Sequence, residues 1–458
     1  MIKPWQFIIF KGTLKHPITM NNNRLTKKVL ALSVLVCLTI SATAELPEKV
    51  LVGYWHNWDA LRLKDIDDRY NVLMLSFLEA DTDGSQDNNV VGDLEFTPYN
   101  NAQVISDIAT VQAEGKTVIV SIGGANGSFK LNNVTDKNTF VSKVKSFIQT
   151  YGVDGIDIDL ERQAYMCNPS GSLANPANYM QYLIDGINEL LTWHQSTYGK
   201  KMILTTAPEV LYTTGGISPW GYCNGAFLPF IEQLSSDLDL LMIQLYNSGS
   251  NYSLAYPGSQ TTYNHGTVDF IITQTEAAIE GFSIGAPNVS GTYSGIPASK
   301  VVVALPACSG AGGGYVSSAN MKAAVNYLMG CGSKPGSYTL SNSYSELRGL
   351  MTWSANNDAD ASCGGTYTFA QAFSEISCLA LSTKELSAGK TIIYPNPAGK
   401  YITVETANNS TLTITDASGK TVLTDLITSN SHNVDLSSFS PGVYFVKTNG
   451  TVEKLILE

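Results

Sequence analysis

The chain has 458 residues, too many for one ordinary domain and enough for a large α/β domain beside a smaller one. Hydrophobic residues at 44% and charged residues at 15% fit a globular protein with a substantial core. A formal net charge of −11 without clustered Lys or Arg argues against nucleic acid as a partner, and gives no reason to expect an anionic polymer.

The first 44 residues read as a signal peptide. Arg24, Lys27 and Lys28 form its basic part, Val29 to Ile40 its apolar part, and Ala42-Thr43-Ala44 its cleavage site. Met20 is a candidate true start. The apolar stretch is shorter than the ~20 residues a spanning helix needs, so export rather than anchoring is expected. Setting Cys37 aside leaves Cys167, Cys223, Cys308, Cys331, Cys363 and Cys378, which in an exported protein suggest up to three disulfides of open pairing. No Cys-x-x-Cys, His-x-His or His-Glu-x-x-His spacing occurs, so neither a metal site nor a cofactor is expected.

Residues 45–380 alternate short β-branched runs with helical patterns. Candidate strands are Val50–Trp55, Val72–Phe77, Thr117–Ile122, Gly155–Leu160, Met202–Ala207, Asp239–Tyr246, Lys300–Leu305 and Gly349–Trp353. Several are nearly continuous apolar runs, as parallel strands covered on both faces require. Phe140, Val141, Val144, Phe147 and Ile148 recur at helical spacing, as do Tyr179, Leu183, Ile187, Leu190 and Leu191; Gly115 suits a left-handed cap after Glu114. Eight β-then-α units predict a (β/α)8 TIM barrel, with a doubly wound open sheet as the alternative. Residues 381–390 read as a linker. Residues 391–458 are all-β, with alternation in Tyr401–Val404 and Thr411–Ile414, a turn at Asp416–Lys420 and a closing hairpin of Gly442–Lys447 and Lys454–Leu457.

Chemistry concentrates in Asp154-Gly155-Ile156-Asp157-Ile158-Asp159-Leu160-Glu161. A strand's period of two places Asp157, Asp159 and Glu161 on one face and Asp154 on the other. Three acids in a poorly solvated cleft cannot all ionise, and a general acid needs the raised pKa that results. A calcium or magnesium site would want acids converging from a loop, whereas these sit on an apolar strand. Most glycosidases oppose two carboxylates across the bond. No second run of comparable quality exists here, Glu209 in Thr206-Ala207-Pro208-Glu209 being the best lone candidate. One dominant acid favours attack by the sugar's own 2-acetamido oxygen, since an aligned intramolecular group reaches effective concentrations of roughly 10⁵–10⁸ M. Such a substrate must carry N-acetylglucosamine at the cleaved position.

At this point the residues resemble glycoside hydrolase family 18, whose Asp-Gly-x-Asp-x-Asp-x-Glu signature on the fourth barrel strand is met in full by residues 154–161. Substrate-assisted catalysis in that family is a named exception to the two-carboxylate rule. Ser121-Ile122-Gly123-Gly124 is similar to its Ser-x-Gly-Gly motif, and Gln244-Leu245-Tyr246-Asn247 to its tyrosine motif. Trp353 matches its final-strand tryptophan, and Tyr54, in Gly53-Tyr54-Trp55, matches the first strand more loosely. The resemblance implies that Glu161 protonates the leaving oxygen and then activates water. It implies that Asp159 orients the acetamido N–H and shares a proton with Glu161, and that Asp157, reached by Ser121, tunes Asp159. Tyr246 would hold the acetamido carbonyl and Trp353 would floor the −1 sugar; Gln244, Asn247, Ser121, Gly123, Gly124, Tyr54 and Glu209 would contribute to substrate binding. Many relatives have methionine and aspartate where this chain has Gln244 and Asn247, which puts contacts on the leaving-group side in doubt.

The segment Pro306–Arg348 is too short for an extra α+β module, which implies an open cleft and endo cutting. The expectation is therefore a secreted endo-acting chitinase, extracellular or held at the cell surface after passage through the periplasm, working as a monomer. The rivals are an endo-β-N-acetylglucosaminidase acting on N-glycans and a non-catalytic chitin-binding lectin. Tyr394-Pro395-Asn396-Pro397-Ala398, Asp416–Lys420 and Gly442-Val443-Tyr444 resemble a type IX secretion sorting domain, which implies that secretion machinery as a partner. The region has no Trp, against a carbohydrate-binding module.

Overall fold

A computed structural model describes residues 46–80, 89–161, 171–379, 392–405, 410–417, 419–427, 431–448 and 451–457. The expected leader 1–44, the linker 381–390 and Cys167 lie outside them.

The catalytic-size unit is built on β1 (Val50–His56), β2 (Val72–Leu78), β3 (Thr117–Gly123), β4 (Gly155–Leu160), β5 (Ile203–Thr206), β6 (Leu240–Leu241), β7 (Val302–Pro306) and β8 (Gly349–Trp353). They pair in parallel in the order β7-β8-β1-β2-β3-β4-β5-β6. Bridges from Leu241 to Val301 and from Gln244 to Ala304 close the ring, which settles the barrel against the open sheet. Alternation sorts each strand's side chains. Val50, Val52 and Tyr54 of β1 fill the interior with Met74, Ile119, Ile203 and Met351, while Leu51 and Trp55 face the helices.

The ring of helices comprises α1 (Asn101–Ala113), α2 (Val134–Tyr151), α3 (Asn178–Tyr198), α4 (Leu228–Gln233), α5 (Val268–Glu280), α6 (Ser318–Leu328) and α7 (Thr368–Ser374). After β1 a single 3-10 turn, Leu63–Asp65, stands where a helix was expected. Helix α2 shows why these segments form. Asn133 caps its start by accepting from the Asp136 N–H, Gly152 ends it at φ 68°, and Phe140, Val141, Val144, Phe147 and Ile148 bury one stripe. Each such side chain contributes about 1.5–3 kcal/mol when fully buried.

The sixth strand is shorter than the Asp239–Tyr246 expected from sequence. The Met242 N–H donates to Thr206 O at 2.9 Å, but the return bond of that pair would come from Pro208, which has no N–H. The backbone regains contact at Gln244, whose N–H donates to Pro208 O at 3.0 Å. That break puts Gln244 and Tyr246 at the rim of the barrel rather than within a continuous ladder. Between β7 and β8 the chain forms α6 and irregular loop, with no strand. Disulfides join Cys308 to Cys363 and Cys331 to Cys378, and Cys223 is disulfide-bonded as well.

The C-terminal region is a β-sandwich. Strands β9 (Ile392–Tyr394), β10 (Tyr401–Glu405) and β13 (Ser431–Asp435) make one sheet in the order β9-β10-β13. Strands β11 (Ser410–Asp416), β12 (Thr421–Ile427), β14 (Gly442–Thr448) and β15 (Thr451–Leu457) make the other in the order β12-β11-β14-β15. Ile402, Val404, Leu412, Ile414, Val434, Val446 and Leu455 form its own core.

Candidate active site

The acidic run lies on β4 with its odd-numbered residues inward, and the site is organised by the register of the strands beside it. Ser121 of β3 and Thr205 of β5 are both in register with Asp157. Three hydroxyls therefore converge on one buried carboxylate. Tyr54 and Ser121 each donate to Asp157 Oδ2 at 2.7 Å, and Thr205 donates to Oδ1 at 2.7 Å. Burial pushes the Asp157 carboxyl up, and the hydroxyls of Thr205, Tyr54 and Ser121 pull it part of the way back.

One level higher, Asp159 has no such cradle. Burial pushes its carboxyl well above the ordinary carboxylate range, and repulsion from Glu161, Asp157 and Glu209 adds to that, against the single opposing donor Gln244. Both carboxyls are pushed up, Asp159 further than Asp157, so of the pair Asp159 is the one whose environment more strongly favours the protonated form.

Gln244 links this level to the next. Its amide nitrogen lies 2.9 Å from Asp159 Oδ1, 3.1 Å from Glu161 Oε1 and 2.9 Å from the Ala207 carbonyl. Glu161, half-buried at the strand's end, donates its backbone N–H to Ser128 Oγ at 2.7 Å. Burial, with Asp159 and Glu161 next, raises the Tyr246 phenol, so it stays a hydrogen donor.

Gly123 and Gly124 are needed for space. At Gly123, φ is +115° and a Cβ would strike the Asp159 carbonyl; at Gly124, φ is +74° and a Cβ would lie 2.9 Å from the Phe77 ring. The chain thus turns sharply off β3 and lets the Phe77 ring close over it.

Above the acids lies a cavity of about 340 Å³. Asp159, Glu161, Gln244, Tyr246, Asn247 and Trp353 line one part of it, and Trp58, Phe77, Glu79, Ala125 and Asn126 the other. Trp353 stacks on Phe77 with centroids 5.6 Å apart, and Trp58, 54% exposed, stacks on the His56 ring with centroids 4.5 Å apart. Asn247 lines the cavity, yet its side-chain oxygen accepts from the Gly313 N–H at 2.7 Å and its backbone N–H donates to Gly313 O at 2.8 Å. Tyr54 and Ser121 lie beneath the cavity, in contact with Asp157 rather than with the space above. Glu209 stands beside the acids, hydrogen-bonded to the Tyr212 hydroxyl and outside the cavity wall. Thr205, Ser128, Trp58, Phe77 and Glu79 also belong to the site, and no motif in the sequence marks them. The parity of β5 was a signal for Thr205; the others carry no local pattern.

With this geometry in hand, comparison with known proteins is specific. A model described as glycosyl hydrolases family 18 matches residues 50–370, and one described as a secretion system C-terminal sorting domain matches residues 392–458. The chain is 38% identical over 322 residues to chitinase Chi52 of Paenibacillus xylanexedens, covering 68% of this chain and 59% of that protein. It is 34% identical over 394 residues to chitinase ChiA of Flavobacterium johnsoniae, covering 81% of this chain and 24% of that one. The chain thus spans about three fifths or less of the length of these relatives. Among solved structures, a family GH18 chitinase from Chromobacterium violaceum superposes with a TM-score of 0.62 at 31% identity, over 73% of this chain and 84% of that one.

Proposed function

Because the chain belongs to family 18 of the glycosyl hydrolases, we propose that it is a secreted endo-acting chitinase, hydrolysing β-1,4 bonds between N-acetylglucosamine units with retention of configuration. The observation that carries this reading is the uneven charging of the column. Asp159 is 3% exposed, and burial and the repulsion of Glu161 and Asp157 favour its protonated form, in which a carboxyl cannot act as nucleophile. The attacking group then has to come from the substrate, which the 2-acetamido oxygen supplies.

In this mechanism Glu161 gives its proton to the glycosidic oxygen as the acetamido oxygen closes on the anomeric carbon and the bond to the leaving sugar breaks. Tyr246 donates to the acetamido carbonyl oxygen and holds it in line with that carbon. Asp159 accepts from the acetamido N–H through one oxygen and lends its proton to the newly ionised Glu161 through the other. Asp157, whose charge the three hydroxyls favour against burial, makes that proton costly to lose from Asp159. Glu161 next removes a proton from water, which opens the intermediate and restores the acid. Trp353 underlies the reacting sugar. Gln244 positions the two acids, while Asn247, Gly123, Gly124 and Glu209 shape the wall and the charge around it.

The sorting domain at residues 392–458 supports delivery to the cell surface or medium by the type IX machinery; passage through the periplasm and a monomeric enzyme are parts of the same proposal. Incubation with an N-acetylglucosamine hexamer and with a high-mannose glycoprotein tests the reading. Cleavage of internal bonds of the hexamer, with the β-anomer formed first, is expected. Release of glycan from the glycoprotein with the hexamer untouched would move the assignment to an endo-β-N-acetylglucosaminidase, and binding without hydrolysis would make it a lectin.

A further inference from the structure

His56, the last residue of β1, takes no part in the mechanism, yet it stands within the site. Strand alternation turns it inward one level above Tyr54, and it is 7% exposed. Its ring packs against two rings of the cavity wall and so bridges them. It stacks on Trp58 with planes 14° apart, and it meets Trp353 at a tilt of 45° with centroids 4.8 Å apart.

Three polar contacts fix this ring. The His56 backbone N–H donates to Asn356 Oδ1 at 2.9 Å, Nδ1 lies 2.9 Å from Asp59 Oδ2, and Asn356 Nδ2 donates to that same oxygen at 3.1 Å. A carboxylate oxygen only accepts, so Nδ1 carries the ring hydrogen. Nε2 is buried and meets no hydrogen-bond partner among the described residues, and neither does Ser76 Oγ, in register with His56 on β2. A buried nitrogen left bare is a cost that a phenyl ring of similar size would avoid. Histidine is therefore explained by its other edge, where a flat ring is locked to Asp59 and, through it, to Asn356.

The lock matters most to Trp58. Trp353 also stacks on Phe77 and meets Tyr54 at 5.9 Å, whereas Trp58, set on the loop after β1, keeps Phe77 at 6.5 Å besides His56. A half-exposed indole without its nearest partner is free to change rotamer, and its face is then in place over the cavity in only a fraction of the molecules.

We propose that His56 is a positioning residue: tied to Asp59 and Asn356, its ring holds the Trp58 face over the cavity, so that substrate affinity depends on it while the acid chemistry of Glu161 does not. This rests on the reading that the site cleaves N-acetylglucosamine polymers. The loss of one aromatic pair corresponds to about two- to tenfold in binding.

The full chain is compared with its His56→Ala, His56→Phe and Asp59→Ala variants and with the double variant His56→Phe/Asp59→Ala. KM and kcat are measured on an N-acetylglucosamine hexamer, with thermal unfolding alongside. In His56→Ala, KM should rise about fivefold with kcat within about twofold of the parent's, and His56→Phe, which keeps the ring, should restore most of the affinity. Asp59→Ala should raise KM where His56 is present and leave it unmoved in the His56→Phe background, because a phenyl ring has no bond to lose. Should His56→Ala fail to fold, the two Asp59→Ala comparisons decide alone. An unchanged KM in a folded His56→Ala, a loss confined to kcat, or an equal effect of Asp59→Ala in both backgrounds overturns this inference and leaves the chitinolytic reading standing. Failure of the parent to cleave the hexamer overturns that reading and this inference with it.

Discussion

Replacing Thr205 by valine removes one hydroxyl from beneath the site and leaves its shape intact. Thr205 is fully buried, so the substituted methyl fills the same space. Its hydroxyl donates to Asp157 Oδ1 at 2.7 Å, whereas Tyr54 and Ser121 both serve Oδ2. A hydrogen bond to a charged group is worth about 1.5–3 kcal/mol. At about 1.36 kcal/mol per unit, its loss raises the Asp157 pKa by roughly one to two units. The sign follows from which form the bond favours. Without the donor the carboxyl holds its proton to higher pH, and below that point the charge that keeps a proton on Asp159 is gone. The acid limb of kcat/KM against pH should therefore move up by about one unit, while the alkaline limb stays in place. The three acids titrate together, so the shift is read as an apparent value for the column. The assay is the pH profile on an N-acetylglucosamine tetramer, with thermal unfolding as the control for folding. Ser121→Ala should shift the limb less, since Tyr54 still serves the same oxygen. An acid limb that does not move, in a variant that folds and turns over like the parent, would falsify this role for Asp157.

Glu161→Gln should leave the unfolding temperature near the parent's and cut kcat by about 10²–10⁴-fold, the usual contribution of a general acid; near-normal turnover would sink the assignment. Asp159→Asn should lose activity and gain stability. The folded pKa of Asp159 is raised, so the stability it contributes is present at low pH and is lost as pH rises through that value. Asparagine suffers no such loss, so the gap in Tm between variant and parent should widen above about pH 4, at up to roughly 1.4 kcal/mol per pH unit. A gap independent of pH would contradict this. Gly124→Ala forces a Cβ to within 2.9 Å of the Phe77 ring at φ +74° and should cost about 1–3 kcal/mol, with a raised KM as Phe77 leaves the cavity wall; an unchanged melting curve would count against that packing.

How much was legible beforehand follows from which residues encode themselves locally. The inward set Asp157, Asp159 and Glu161 needed only the period of a strand, and the turn at Gly123-Gly124 only the conformational freedom of glycine. Apolar runs and helical stripes gave seven of the eight barrel strands nearly to the residue. The sixth failed because one missing N–H, at Pro208, interrupts its ladder from the neighbouring strand, which a pattern read along a single segment does not register. The cradle under Asp157 was half visible: Ser121 came with a motif, but Thr205 is recognisable only once β4 and β5 are in register. The far wall of the cavity, with Trp58, Phe77 and Glu79, comes from strand ends and loops whose placement is decided by closure of the barrel. In the C-terminal sandwich, β12 is exposed along most of its length and shows no alternation, so nothing in Thr421–Ile427 announced a strand.

The position of the proton on Asp159 is supported by two arguments of different physics. The first is electrostatic, resting on burial and on repulsion from neighbouring acids. The second is a count of hydrogens. The Gln244 amide nitrogen carries two, and three acceptors lie within reach: Asp159 Oδ1, Glu161 Oε1 and Ala207 O. The Ala207 carbonyl belongs to the backbone and cannot turn away, so one hydrogen is left for two acids. With both acids ionised, one oxygen of the pair would face the amide without a hydrogen while like charges pressed together. A hydrogen supplied by one of the acids removes both problems at once. Asp159, at 3% exposure against the half-buried Glu161, is the one that water cannot help and so the one that keeps it, while the more exposed Glu161 takes from solvent the second proton, which it gives to the glycosidic oxygen. Of the three amide contacts, that to Glu161 is the longest at 3.1 Å. It is the cheapest to surrender, which leaves the acid at the strand's end able to turn towards an arriving glycosidic oxygen while Asp159 stays tethered below.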